Sequence, residues 1–240
     1  MTSDQARRRA GFLLYAAIQF VVLTAVAMEL YAGGTAWDPA SSGYAFAHNF
    51  FSDLGAIHSW SGRANHASAV LFAIALVTLG IAFIAFAGAW RAFAFARSRA
   101  RVAGIAAQVA GTLSGAAFIA VAVAPIDISM QLHNTFVVAA FGLLLAYGVC
   151  LSVVMWRNGA GGALLVGGIV YVALVAVYVA LVIVAVRGAV STRRDFAMMV
   201  IAQKVVAYSS MVFVALLTTT TRKLCAATWR SRIVHGMYTW

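Results

Sequence analysis

Charge is scarce in this chain. Only 10% of its 240 residues are Asp, Glu, Lys or Arg, whereas a soluble domain of that length carries about a quarter. With 64% hydrophobic residues and a mean hydropathy of +0.94, this shortage excludes a water-soluble globule. Proline is nearly absent too. Pro39 and Pro125 are the two it has, so long helices can run without interruption. The two cysteines, Cys150 and Cys225, form no CxxC pattern and have no histidine close by in sequence. They read as reduced thiols, with neither a disulfide framework nor a cysteine nucleophile expected.

What the chain has is long apolar runs. Six of them, at approximately 11–32, 65–90, 104–124, 133–156, 161–186 and 198–220, reach the roughly 20 residues that a helix needs to cross about 30 Å of hydrocarbon. Backbone groups in lipid must pair internally, and no alternating strands appear. The expected fold is therefore an all-α integral membrane protein, a six-transmembrane-helix bundle forming one polytopic domain over 1–240. The first run is longer than a signal-peptide core and lacks a clear cleavage site, so it reads as a retained helix.

Acidic residues are the rarer sign, six against seventeen Lys and Arg, for a net charge of +11. Twelve of the seventeen fall on one side, in the stretches 7–9, 91–101 and 222–232 and at Arg157. Both termini are accordingly expected in the cytoplasm, with the chain in the plasma membrane. The arginine clusters suit anionic inner-leaflet headgroups rather than nucleic acid. Of the acids, Glu29, Asp38, Asp53, Asp127 and Asp195 fall at the other, outer side, with His48, His58, His66 and His133.

That outer side includes an odd segment, HNFFSDLGAIHSW at 48–60, in the longest connection of the chain, Gly33 to Ala64. The middle of that connection, SSGYAFAHNFFSDLG at 41–55, reads as a short interfacial helix, capped by Ser41 or Ser42 and ended by Gly55. Tyr44, His48, Phe51 and Ser52 would share a face, and Tyr44, Phe46, Phe50, Phe51 and Trp60 suit the headgroup region. Elsewhere GTLSG at 111–115 places small residues four apart, a pattern for close helix packing.

Three short motifs follow one another along the chain. Ser52-Asp53-Leu54-Gly55 comes after the first span, Pro125-Ile126-Asp127 followed by His133 joins the third and fourth, and Gln203-Lys204 lies early in the sixth. Their order resembles the bacterial six-helix membrane family DUF998, a domain of unknown function, with Lys204 standing where that family often has arginine. A fainter similarity links the outer Ser-Asp to the Frag1/DRAM/Sfk1 family. Neither resemblance implies a particular reaction.

Each candidate residue has a plain reading beside a chemical one. Ser52 and Asp53 can simply cap and turn the chain, and Asp127 can cap a helix while His133 makes an interfacial hydrogen bond. Alternatively Asp53, His66, Asp127 and His133 converge around a metal, with zinc the candidate, as serine, aspartate and histidines do in the alkaline-ceramidase-like superfamily. Ser52 with His133 and Asp53 would be the catalytic set of a metal-assisted hydrolase, though no Gly-x-Ser-x-Gly elbow accompanies them. Glu29 and Lys204 lie at matching depths in the first and sixth spans and are expected to pair, since lone charges in a bilayer are costly. With Gln203 and Asp127 they would line a binding site. The resulting expectation is an outward-facing polar chamber that binds or processes a lipid or small amphiphile from the outer leaflet. A transporter or proton-coupled sensor using the buried charges, or an accessory protein without chemistry, are the alternatives.

Overall fold

A computed structural model describes residues 3–88, 100–159, 162–188 and 192–236, with side chains from 4 to 223. Trp90, the arginines between 91 and 99, Gly161 and the termini Met1 and Trp240 lie outside the described residues, as do the side chains of Cys225 and His235.

Six long helices form, each long and apolar enough to cross a membrane, and among the described residues there is no strand. They are α1 (Ser3–Glu29), α3 (His66–Ala87), α4 (Arg101–Val123), α5 (Met130–Arg157), α6 (Ala163–Val186) and α7 (Arg193–Gly236). A seventh, α2 (Phe51–Leu54), is a single turn in the long connection. The chain is thus a multi-pass membrane protein. The six spans match the apolar runs, but α1 begins earlier because Arg7, Arg8 and Arg9 are good helix formers and continue it. The 44 residues of α7 make about 66 Å of helix, over twice the hydrocarbon thickness, so one end must leave the lipid.

Packing follows chain order around a closed ring, α1 on α3, α3 on α4, α4 on α5, α5 on α6, α6 on α7, and α7 back on α1. The small residues at 111–115 do bring helices close. A Cβ on Gly115 would sit 2.8 Å from the carbonyl oxygen of Gly80, and one on Gly80 would sit 2.7 Å from that of Gly115. Gly115→Ala should therefore force α3 and α4 apart and destabilise the protein by about 1–3 kcal/mol. Gly142→Ala, with nothing within 4 Å of its Cβ, should be neutral or stabilising. Thermal unfolding of the two variants in detergent checks the contrast.

Residues 33–64 fold over one end of the ring as a lid. The helix expected across 41–55 is confined to Phe51–Leu54, although it does end at Gly55. Asn49 explains the shortening. Its Oδ1 accepts from the Ala45 N–H at 2.9 Å and its Nδ2 donates to the Gly34 carbonyl at 3.0 Å, a folded-back arrangement that replaces helical pairing. All four α2 residues are buried, so this turn plugs the ring instead of presenting an open amphipathic face. Phe46, Trp37 and Trp60 remain exposed.

Candidate functional site

The lid is fastened by polar side chains from three directions. From the start of α3, the buried Asn65 accepts from the Ala32 N–H at 3.1 Å and donates to the carbonyls of Leu54 at 3.2 Å and Ala56 at 2.9 Å. Ser68, one turn on, donates to Leu54 as well. From the α4–α5 turn, Asp127 accepts from the N–H groups of Ile57 at 3.0 Å and His58 at 2.9 Å, with the His58 ring 3.6 Å away. From α7, Gln203 accepts from the Phe51 N–H at 2.8 Å, and Lys204 donates to the Asn49 carbonyl.

Lys204 is only 2% exposed. Its ammonium lies 5.3 Å from the ring centre of Tyr44, 5.0 Å from Phe46 and 5.3 Å from Phe51. Asp53 is the matching anion, 1% exposed, with Oδ2 accepting from Asn49 Nδ2 at 3.1 Å and the Phe50 N–H at 2.9 Å. Burial pushes the Asp53 carboxyl up to about 6, against the opposing pull of the Asn49 and Trp60 side chains, the Phe50 N–H and the Lys204 charge. Burial, and then the Asp53 charge, also raise the phenols of Tyr31 and Tyr44.

Under the lid, in the middle of the ring, is a cavity of about 110 Å³, far more than the roughly 10–15 Å³ that one water occupies on the same measure. Every helix contributes to its wall. Phe51, Ser52, His133 and Gln203 line the lid end, and Tyr147 and Leu217 the deep end. His133 to Tyr147 and Gln203 to Leu217 are each fourteen residues of helix, so the cavity extends about 21 Å along the bundle. Most of the lining is Leu, Phe, Val and Met.

The expected site residues divide between these two features. Ser52, Gln203 and His133 come together at the cavity; Asp53 and Lys204 come together in the lid. His66 is exposed, one residue beyond the inward-turned Asn65, and Asp127 is committed to lid backbone. The set Asp53, His66, Asp127 and His133 therefore does not converge, and among the described residues no three His, Cys, Asp or Glu are grouped to hold a metal ion. Zinc does not fit this donor arrangement. His133 bonds the Ala124 carbonyl through Nδ1 at 2.7 Å, while its buried Nε2 has no hydrogen-bond partner. A backbone carbonyl thus occupies the place where a triad would have its carboxylate.

Glu29 requires a correction. Helices α1 and α7 are neighbours, but Glu29 is the exposed last residue of α1 and forms no ion pair with Lys204 among the described residues. Equal depth says nothing about which way a side chain faces around its helix. Asn49 and Asn65, the residues that organise the lid, have no signature in the sequence beyond being polar and near glycines. Tyr147, fully buried with an unpartnered hydroxyl, looks there like one aromatic in an apolar run.

A family model described as Protein of unknown function (DUF998) matches residues 25–220, and the chain belongs to that family. The match runs from the end of α1 through the lid to the membrane-spanning part of α7 and includes the cavity wall apart from Leu13 and Phe20. No curated protein and no solved structure matches the chain.

Proposed function

We propose that this DUF998 protein holds the hydrocarbon part of a lipid or small amphiphile inside its ring, beneath a lid that faces the outer leaflet of the plasma membrane. The observation that carries this reading is the cavity. It is about 21 Å deep, apolar over most of its wall and closed at one end by residues of the lid. Hydrocarbon fills such a space with gain in contact and no loss of hydrogen bonds. Ser52, Gln203 and His133 at the lid end are suited to meet the polar head. The arginine-rich stretches support placing both termini in the cytoplasm, against anionic inner-leaflet headgroups.

The charges favour holding over conduction. Asp53, Asp127 and Glu29 belong to the lid or to the turn and helix end beside it, Lys204 reaches into the lid from within α7, and beyond Gln203 the cavity wall offers only hydroxyl groups among its polar side chains. A proton or ion path would need ionisable groups continuing inward.

Extraction of lipids from protein purified in mild detergent tests the proposal. The parent should carry a bound amphiphile at near-stoichiometric amount, and Ala207→Phe, which fills the cavity, should lose most of it while remaining folded. Equal lipid on both proteins would sink the reading.

A further inference from the structure

The lid carries an arrangement that holding hydrocarbon does not require. Three aromatic rings, those of Tyr44, Phe46 and Phe51, have their centres 5.0–5.3 Å from one ammonium nitrogen, inside the roughly 6 Å at which a ring face attracts a cation. The Asn49 carbonyl accepts a hydrogen bond from the same nitrogen, and the Asp53 carboxylate supplies attraction. All five groups belong to residues 44–53. The ammonium comes from a different element, Lys204 of α7, 155 residues away from Asn49. At the Asn65, Ser68 and Asp127 fastenings of the lid, a neutral amide, a hydroxyl or a carboxylate bonded to backbone N–H groups is enough. Here ten residues of loop surround a cation on its apolar and its polar sides.

We infer that residues 44–53 form an ammonium-binding box that Lys204 occupies in cis, and that the ligand class it takes from outside is a primary alkylammonium, such as the head of an amine-bearing amphiphile. Lid closure is then an intramolecular binding event. The tether keeps the effective concentration of the Lys204 ammonium high, so a free amine takes the box when that side chain is absent or withdrawn. A primary ammonium fits because it retains an N–H for the Asn49 carbonyl while its carbon-bound side lies against the rings. The inference goes beyond the hydrocarbon reading and stands without it, although Phe51 belongs to both the box and the cavity wall.

The test uses the full chain in detergent with Cys150 and Cys225 replaced by Ser and a reporter thiol introduced by Ser52→Cys, a buried lid position. Adding Lys204→Ala should raise the rate of thiol labelling about tenfold or more, the scale set by a desolvated ring–cation contact. Propylammonium should slow labelling of that variant back towards the parent rate, and propanol or propionate at equal concentration should not. Unchanged labelling in Lys204→Ala, or rescue by propanol equal to that by propylammonium, would overturn the inference. Should Lys204→Ala not fold, Tyr44→Leu with Phe46→Leu leaves Lys204 in place and removes two rings. Faster labelling supports the box, and a parent-like rate refutes it.

Discussion

Asn65→Ala is expected to lower the thermal midpoint of the protein in detergent by on the order of 10 °C. One amide, 2% exposed, accepts from Ala32 and donates to Leu54 and Ala56, so it joins the end of α1, the lid and the start of α3. Alanine leaves the Ala32 N–H and the Ala56 carbonyl without this partner, at about 1–3 kcal/mol for each unsatisfied group, while the Leu54 carbonyl keeps Ser68. Two such losses total roughly 2–6 kcal/mol, and for a chain of this size each kcal/mol moves the midpoint by roughly 2–4 °C. His66→Ala is the adjacent control. His66 is exposed, and its removal should change stability by no more than about 0.5 kcal/mol. Similar midpoints for the two variants would show that the lid is not fastened through Asn65.

The second large effect concerns the two buried charges. Lys204→Met leaves the Asp53 carboxyl without its nearby cation, and Asp53→Asn leaves the ammonium without its anion. Lys204→Met should cost about 3–5 kcal/mol at neutral pH, because it strands the Asp53 charge in a poorly solvated place, and Asp53→Asn should cost less, because burial already favours the neutral form of that side chain. The double variant should be more stable than the sum of the two losses predicts, by at least about 0.5 kcal/mol. A strictly additive cycle would refute the coupling. Asp53 also predicts a pH dependence. Its carboxyl is held at about 6 in the folded protein against an ordinary 3.8. Its stabilising contribution is therefore complete below about pH 4 and is lost as pH rises through 6. Unfolding midpoints should fall across that interval in the parent, and the fall should be absent in Asp53→Asn.

The spans were legible in the sequence because a bilayer imposes one length on every helix, and a helix leaves no backbone group for a partner to satisfy. Even the neighbouring of α1 and α7 followed from treating charges in lipid as needing company. The partner was misread. Depth can be counted along a sequence, but the azimuth of Glu29 depends on how α1 is rotated against α3 and α7. Lys204 was recognisable as a charge that had to face inward, Gln203 as a candidate binding residue, and Ser52-Asp53 as a turn of the outer connection. What could not be read was the lid. Asn49 folds back onto Gly34 and Ala45, and Asn65 reaches Ala32, through contacts that no periodicity marks. His66 and Asp127 are metal-ligating residue types on the outer side, and that alone made them candidate ligands. One faces away, and the other is held by two backbone N–H groups of the lid.

The mutual approach of Gly80 and Gly115 also bears on kinetics. A hydrocarbon chain diffusing sideways in the bilayer meets a wall whose seams differ in what must move to open them. Between α3 and α4 backbone touches backbone, and a gap there requires two whole helices to separate. At the other glycine contacts between described helices the opposing atoms belong to side chains, such as Val172 against Gly148 and Met155 against Gly168. Side chains change rotamer far faster than helices part, in picoseconds to nanoseconds where free to do so against microseconds or longer. Lateral exchange that bypasses the lid should therefore be directional, excluded at the α3–α4 seam and admitted only where a rotamer change suffices to open a path.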